Sequence, residues 1–471
     1  MINLNIDTNQ AFYYRKAILF DIVKIDSPEL KKCFKVLWKI VLDDYKSNTS
    51  RVRNLKARRH ACMYILSNLW KANYLTLNPW VGYSRDKNKY AKGKRLRKLR
   101  FKYEAVVQTI DSLHKLKFLL KKENVHFKEY SFSSRMRASH KLIKIFDSLN
   151  LKDLVSIVKT HKNLDQIILK DINKNPIDYK ANAQIQKWRK NLTIINTKLN
   201  ESRICLDMEN EQFHQLIQKL NMKKKSVYLF PNFSSKTLHR VFNNSSFEQG
   251  GRFYGGWWQS IPREFRKFIT INYKPTEEVD YSGHHIRILY SICNKKLQGK
   301  PYELKDPSRN TADQIQDRKE ATLIMLNCLN RSKAFYTIRS EGIQNPNQVM
   351  NDILERHEPI KDQFFKGKGN DLMYKDSIIA EEVMLRMIKL GHTVLPVHDS
   401  FIVRNSASSE LIPIMEKVFN KYHSNKTKVD TKTTLLQWEI TKNKSIKSTH
   451  SFNLQTYYNN RTIVNTLWDI S

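Results

Sequence analysis

Two aspartates stand where acidic side chains are costly. Asp280 ends the strand-like run Glu277-Glu278-Val279-Asp280. Asp399 interrupts Val394-Leu395-Pro396-Val397-His398-Asp399-Ser400-Phe401-Ile402-Val403, which is apolar on both sides of a single His-Asp pair. A strand buried on both faces does not tolerate an ionised carboxylate unless its charge is used. Taken singly, either Asp is compatible with a turn or a capped helix. Two strands that each bring one carboxylate to a common point make a site for two hard cations. Such a pair activates a 3′-hydroxyl and neutralises a triphosphate as pyrophosphate leaves. The expected cofactor is two Mg²⁺, with Mn²⁺ as a substitute. A helix is expected directly after Asp280, with Ser282 placed to cap it.

The elements that must position these residues follow from pattern. From Ser226 onward, strand-like runs (VYLF, FITINY, EEVDYS, TVLPVHDSFIV) alternate with helical stretches, so this half is mixed α/β. Before the second Asp, the stretch from Asp371 through Ser377 to Val383 predicts an amphipathic helix ending at Gly391. Residues 138–225 alternate helical stretches with polar breaks. Residues 1–75 are helical, with Phe34, Leu37, Trp38 and Val41 at helix spacing. Residues 83–102 hold ten Lys/Arg against one Asp, among them Arg95, Arg97, Lys98 and Arg100 as candidate nucleic-acid contacts. An amphipathic helix over 103–120 and the alternating stretch HFKEYSF come next. Helix, basic arm and strand-like wing in this order resemble a winged helix-turn-helix. An ordinary helical subdomain with a solvated basic face fits the same pattern.

Composition narrows the partners. The chain has 471 residues, 83 Lys+Arg against 45 Asp+Glu, and a formal charge of +38. So large an excess suits a polyanion, because each neutralised phosphate releases condensed counterions. The 21 Tyr, 22 Phe and 8 Trp add base-stacking surface. The alternatives are a basic surface with no specific partner, or a membrane-surface protein. Five scattered Cys residues with no CxxC pair argue against a zinc site or a disulfide framework, and fit a reducing compartment. The N-terminus lacks a signal-peptide layout and no apolar run is long enough to span a bilayer, so a cytoplasmic location is expected.

The residues around the two aspartates resemble a known group. Asp280-Tyr281-Ser282 followed by Arg287 resembles motif A of the family A DNA polymerases. Val397-His398-Asp399-Ser400-Phe401 resembles their motif C, its Ser being closer to the phage-type single-subunit RNA polymerases. Upstream, Gly251-Arg252-Phe253-Tyr254, then Gln259-Ser260-Ile261-Pro262 and Arg266, is similar to the family pattern of GR, QNIP and Arg. These ordered blocks cover residues 247–403. The resemblance implies an α+β right-hand fold of palm, fingers and thumb, with Asp280 and Asp399 as metal ligands. It implies that Arg252, Gln259, Arg266 and His398 lie near the primer–template, and that Tyr281, Ser282, His285 and Arg287 lie near the nucleotide.

Family fingers present cations to the triphosphate. The candidate stretch is Asp317-Arg318-Lys319-Glu320-Ala321-Thr322, with Lys319 first and Arg318 beside it, and Asn327 standing where the family has Tyr. A surface helix with incidental charge is the other reading of this stretch. A Glu in the family's motif A blocks the ribose 2′-hydroxyl, and His285 occupies that position. Imidazole can accept or donate to a hydroxyl, so ribonucleotides are expected to be used. The other reading of His285 is a side chain that packs against neighbours.

The expected division is 1–137, a helical and winged-helix-like nucleic-acid-binding region; 138–225, a helical thumb-like or linker region; 226–440, palm and fingers; and 441–471, a basic tail. The expected function is template-directed nucleotidyl transfer, as a DNA polymerase or as a primase or RNA polymerase, such as a plasmid, phage or other mobile element would use for priming. The rival is a replication initiator or regulator that binds DNA and carries a degenerate palm. Expected partners are a DNA template, single-stranded or primed, an RNA primer, nucleoside triphosphates, and a helicase or accessory protein, with no membrane.

Overall fold

The computed structural model describes residues 17–20, 23–25, 27–48, 54–75, 80–87, 90, 102–123, 125–126, 131–149, 158–160, 166–222, 229–423 and 429–432. The 441–471 tail and the arm bearing Arg95, Arg97, Lys98 and Arg100 lie outside the described residues. The chain is mixed α and β. Among the described residues, no helix is long and apolar enough to cross a membrane.

The strand Lys274–Tyr281 organises the central sheet. One side pairs with Ser400–Arg404, and the other pairs with Ile269–Ile271 at one end and Val429–Lys432 at the other. Ile204–Leu206 extends the sheet beyond Ile269–Ile271, and Leu395–Val397 lies at the opposite edge. Residues Thr276 to Val279 are all buried. With both faces buried, the two Glu within the run need partners. Asn272 and Tyr273 both have positive φ, 49° and 63°, which matches the two-residue hairpin turn between Ile269–Ile271 and Lys274–Tyr281.

A second sheet, in the order Pro176–Ile177, Ile167–Lys170, His239–Phe242, Gly250–Tyr254, packs against the long helix Gly369–Lys389. Polar side chains pin the helix down. Asn243 donates to Asn370, Gln249 to Asp371 and Arg252 to Asp376. Arg240, wholly buried, donates to the Gly251 carbonyl (2.7 Å), to Ser377 (2.8 Å) and to Glu381 (3.2 Å). Helix Ala183–Glu201 lies on the same assembly, its Asn191 also donating to Glu381 and its Trp188 stacked on Phe242. Strand pairing thus crosses the expected boundary at 225: Ile167–Lys170 pairs with His239–Phe242, and Ile204–Leu206 with Ile269–Ile271. Part of the stretch 138–225 is built into both sheets.

In the first part of the chain, Leu37 and Val41 of helix Pro28–Asn48 enter the core as their spacing predicts, with Phe34 and Trp38 half-buried beside them. Helix Leu55–Leu75 and helix Tyr103–Lys115 pack together, and the short strands Val81–Gly82, Arg135–Ala138 and Leu119–Lys122 form a sheet in that order.

Four histidines are buried or half-buried with their pKa pushed down chiefly by burial. His239, His285 and His423 fall to about 4, and His357 to about 3. Each therefore folds neutral, whereas the unfolded side chain titrates near ~6.5. Between those values the unfolded state binds more protons, so stability rises with pH across this window and is lost as pH falls below ~6.5. Thermal melts should show Tm level above neutrality and falling steadily from pH 6.5 towards 4. A Tm unchanged down to pH 4.5 would contradict this.

Candidate active site

Asp280 and Asp399 are brought together by the ladder. Asp280 is the register partner of Ser400, and Val397 pairs with Ser400 to close a hairpin whose two-residue turn is His398-Asp399. His398 takes a left-handed backbone (φ 58°) to make that turn and is exposed at its tip. Both carboxylates are half-buried at the same end of the sheet. Each acts on the hydroxyl of Tyr302, whose pKa is raised by burial first and then by Asp399 and Asp280.

Tyr302 reaches this point through a close approach. Gly283, between Asp280 and helix His284–Ile292, has φ 62°, and a Cβ there would lie 2.3 Å from Pro301 Cγ. The helix cap is therefore Gly283 in a left-handed conformation, correcting the expected cap at Ser282. The carbonyl of Ser282 instead accepts from Arg287 Nε (2.6 Å).

A charged cluster flanks the carboxylates. Arg252 Nε donates to Asp376 Oδ2 at 2.5 Å and its Nη2 donates to His285 Nε2 at 3.0 Å. A guanidinium only donates, so His285 Nε2 must accept and its proton sits on Nδ1. The depressed pKa of His285, set by burial and then by Arg252, agrees with a neutral ring. His284 Nε2 lies 3.4 Å from Asp376 Oδ1 and its ring stacks on Tyr281 at 4.5 Å. Burial alone would raise the Asp376 carboxyl, but Arg252 first and then the contact with His284 hold it well below the usual carboxylate range. Burial, opposed by Asp376 and Asp399, likewise leaves Arg252 raised. Although exposed at the tip, His398 is lowered by partial desolvation of its ring first and then by Arg252.

The remaining expected residues divide into those at the site and those that support it. Arg287 is buried and acts on Tyr302. Arg266 pairs with Glu278 Oε1 (3.0 Å), which also accepts from Ser400 Oγ (2.5 Å), so this trio ties the two Asp-bearing strands together. Gln259 donates to the carbonyls of Phe253 (2.9 Å) and Pro396 (3.0 Å), and its neighbour Trp258 donates to Pro396 as well (3.1 Å). Its amide nitrogen is thus engaged in holding the Asp399 hairpin. Tyr281 is turned into the core, its hydroxyl donating to the Met415 carbonyl (2.8 Å), which takes its side chain away from a nucleotide. Arg318 is likewise buried. It donates to the carbonyls of Tyr302 (2.8 Å) and Arg309 (2.9 Å) and to Asn310 (2.8 Å), fixing the loop that carries Tyr302. Lys319 is half-buried on the same helix, Ala312–Asn327, and Asn327 is exposed at its end.

Sequence reasoning passed over Tyr302, Asp376 and Glu278. Glu278 had a signal, lying with Glu277 and Asp280 in one short strand-like run. Asp376 lies in a helix with many polar residues and Tyr302 in a loop, where neither type is unusual.

The donor set suits hard cations. Among the described residues, no group of three or more His, Cys, Asp or Glu is arranged to hold a metal ion. Mg²⁺ keeps several waters and is commonly bound by one or two carboxylates plus substrate phosphates, which a pair of carboxylates at a sheet end satisfies.

No family model matches the chain, and no curated protein does. Among solved structures, the POL domain of Pol1 from M. smegmatis, in complex with DNA primer-template and dNTP, overlaps with a TM-score of 0.30 and 13% identity. The overlap covers 42% of this chain and 47% of that one, so the chain spans under half of that structure's length.

Proposed function

We propose that the protein is a template-directed nucleotidyltransferase that extends a 3′-hydroxyl by a two-metal mechanism. One observation carries the reading: two aspartates remote in sequence meet at one end of one sheet, from the adjacent strands Lys274–Tyr281 and Ser400–Arg404 and the hairpin turn before the latter. In this reading the central sheet is the palm and the helices between residues 312 and 363 are the fingers. Two Mg²⁺ held by Asp280 and Asp399 would activate the 3′-hydroxyl and offset charge as its oxygen bonds to the α-phosphorus and pyrophosphate leaves. Lys319 and Arg287 steady the triphosphate, with Tyr302 beside the two carboxylates. Arg252, aimed by Asp376, and His398, exposed at the hairpin tip, contact the primer–template.

In the N-terminal region, helix 55–75, strand 81–82, helix 103–115 and strands 119–122 and 135–138 follow the order of a winged helix, with the first strand beside the last. That order supports a separate DNA-binding unit. The second reading, a DNA-binding initiator without catalysis, draws on Arg318, whose guanidinium is committed to loop carbonyls rather than to a triphosphate.

Purified protein with Mg²⁺ or Mn²⁺ should extend a labelled primer–template, and unprimed single-stranded DNA supplied with ribonucleotides should yield short products. DNA binding with no extension under any of these conditions would favour the initiator. His285→Glu should lower ribonucleotide use relative to deoxyribonucleotide use by roughly tenfold, the equivalent of about 1.4 kcal/mol at a buried polar contact. An unchanged ratio would remove His285 from sugar selection.

A further inference from the structure

We propose that Asp376 is a positioning residue for sugar choice: through Arg252 it fixes the proton of His285 on Nδ1, so that the site selects nucleotides with a hydrogen-bond acceptor at the 2′ position. This rests on the nucleotidyltransferase reading and sharpens it, from ribose tolerated to ribose preferred.

Three elements meet at this relay. Arg252 comes from strand Gly250–Tyr254, Asp376 from helix Gly369–Lys389, and His285 from the first turn of helix His284–Ile292. Asp376 is buried and accepts from Arg252 Nε at 2.5 Å, which fixes the direction of the guanidinium. The other carboxylate oxygen lies 3.4 Å from His284 Nε2, so Asp376 is braced from two sides. Nη2 of Arg252 donates to His285 Nε2 at 3.0 Å. Because a guanidinium has no lone pair to offer, Nε2 uses its own for that bond and Nδ1 carries the hydrogen. Among the described residues, Nδ1 of His285 has no hydrogen-bond partner. It is also not sealed from solvent, as both ring nitrogens of His284 are.

A donor left in this state suits a ligand that supplies an acceptor. In the proposed reaction the α-phosphate belongs at Asp280 and Asp399, and the sugar is the next group of the nucleotide. His285 lies five positions after Asp280, and both it and Arg252 feel the charge of Asp399. A 2′-hydroxyl can accept from Nδ1–H, whereas deoxyribose presents only carbon and hydrogen there. His285 is 9% exposed, so a sugar that reaches Nδ1 closes it off from water, where an unmade hydrogen bond is costly. A site built around such a bond rejects the analogue that lacks it.

The test compares kcat/KM for ribo- and deoxyribonucleotides on one primer–template, in wild type, Asp376→Leu, Asp376→Asn, Arg252→Met and Asp376→Leu/Arg252→Met. Wild type is expected to favour ribonucleotides by about tenfold or more. Asp376→Leu and Arg252→Met should each bring the ratio towards one, with no further fall in the double variant, because both act through one bond. Asp376→Asn, which keeps an acceptor oxygen for Arg252, should retain part of the preference. A role confined to holding the fold would lower both rates and leave the ratio alone. Thermal melting shows which variants fold. If Asp376→Leu does not, the double variant carries the same prediction with both buried charges removed. Nitrogen-15 spectra of histidine-labelled protein, with the His285 signal assigned by its loss in His285→Gln, should show the hydrogen on Nδ1 without any turnover. A wild-type ratio near one, a ratio that survives both single substitutions, or a hydrogen on Nε2 would each overturn the proposal. Extension with an unmoved ratio sinks the relay alone, whereas no extension with either nucleotide set sinks the nucleotidyltransferase reading and the sugar preference together.

Discussion

Asp280→Asn and Asp399→Asn should each slow single-turnover primer extension by about a thousandfold, while affinity for primer–template stays level or rises. The amide keeps the shape of the carboxylate but removes the charge that would hold a divalent cation. Loss of a metal contact worth several kcal/mol of transition-state stabilisation corresponds to about three factors of ten. Asn at 280 leaves the Asp280–Ser400 backbone pairing intact, so the hairpin remains in register. Removing a negative charge beside phosphates does not weaken binding. Either variant extending within tenfold of wild type would show that its carboxylate is not a metal ligand, and the two-metal reading would be lost with it.

The largest effect on stability is expected at Glu381. Arg240 is fully buried, with its guanidinium shared between Glu381, Ser377 and the Gly251 carbonyl, and packed over Trp188, Phe242 and Phe253 at 4.9, 5.1 and 5.0 Å. Glu381→Ala strands that cation in the interior, at about 3–5 kcal/mol. Against a domain stability of roughly 5–15 kcal/mol, this is a large fraction. Urea unfolding should give a much lower midpoint, and the double change Arg240→Met/Glu381→Leu should recover part of the loss by removing both charges. A single variant less than about 1 kcal/mol below wild type would mean that Arg240 finds compensation elsewhere. Because Arg240 grips the carbonyl of Gly251, next to Arg252, a destabilised but folded variant should also lose primer–template affinity.

The site was legible where chemistry conflicted with its surroundings. Asp399 stands out because its run is otherwise apolar, and Asp280 because it sits between Val279 and Tyr281 at the end of a strand-like run. The run around Asp399 reads as a single strand, whereas the structure folds it into a hairpin that turns at His398-Asp399. The helix ending at Gly391 was equally plain, its stop being a glycine with φ 90°. What was hidden depends on pairing between distant segments. Nothing local marks Ile204-Cys205-Leu206 as a strand of the central sheet, since three apolar residues fit a helix end as well. Helix Ala183–Glu201 reads as a free-standing amphipathic rod until Asn191 and Trp188 are seen to meet Glu381 and Phe242. Arg318 and Tyr281 have the residue types that bind nucleotides, but their burial turns them to structural work. Sequence gives residue type, and it does not give the direction in which a side chain is committed.

The strand before Asp399 lies at the margin of the central sheet, where unpaired backbone groups invite a foreign strand. Pro396 offers no amide proton there, and its carbonyl is already taken by Trp258 and Gln259. A second chain approaching this apolar border finds nothing to zip onto. Protection from self-association is therefore written into the same residues that hold the hairpin, and loosening them endangers solubility as much as alignment.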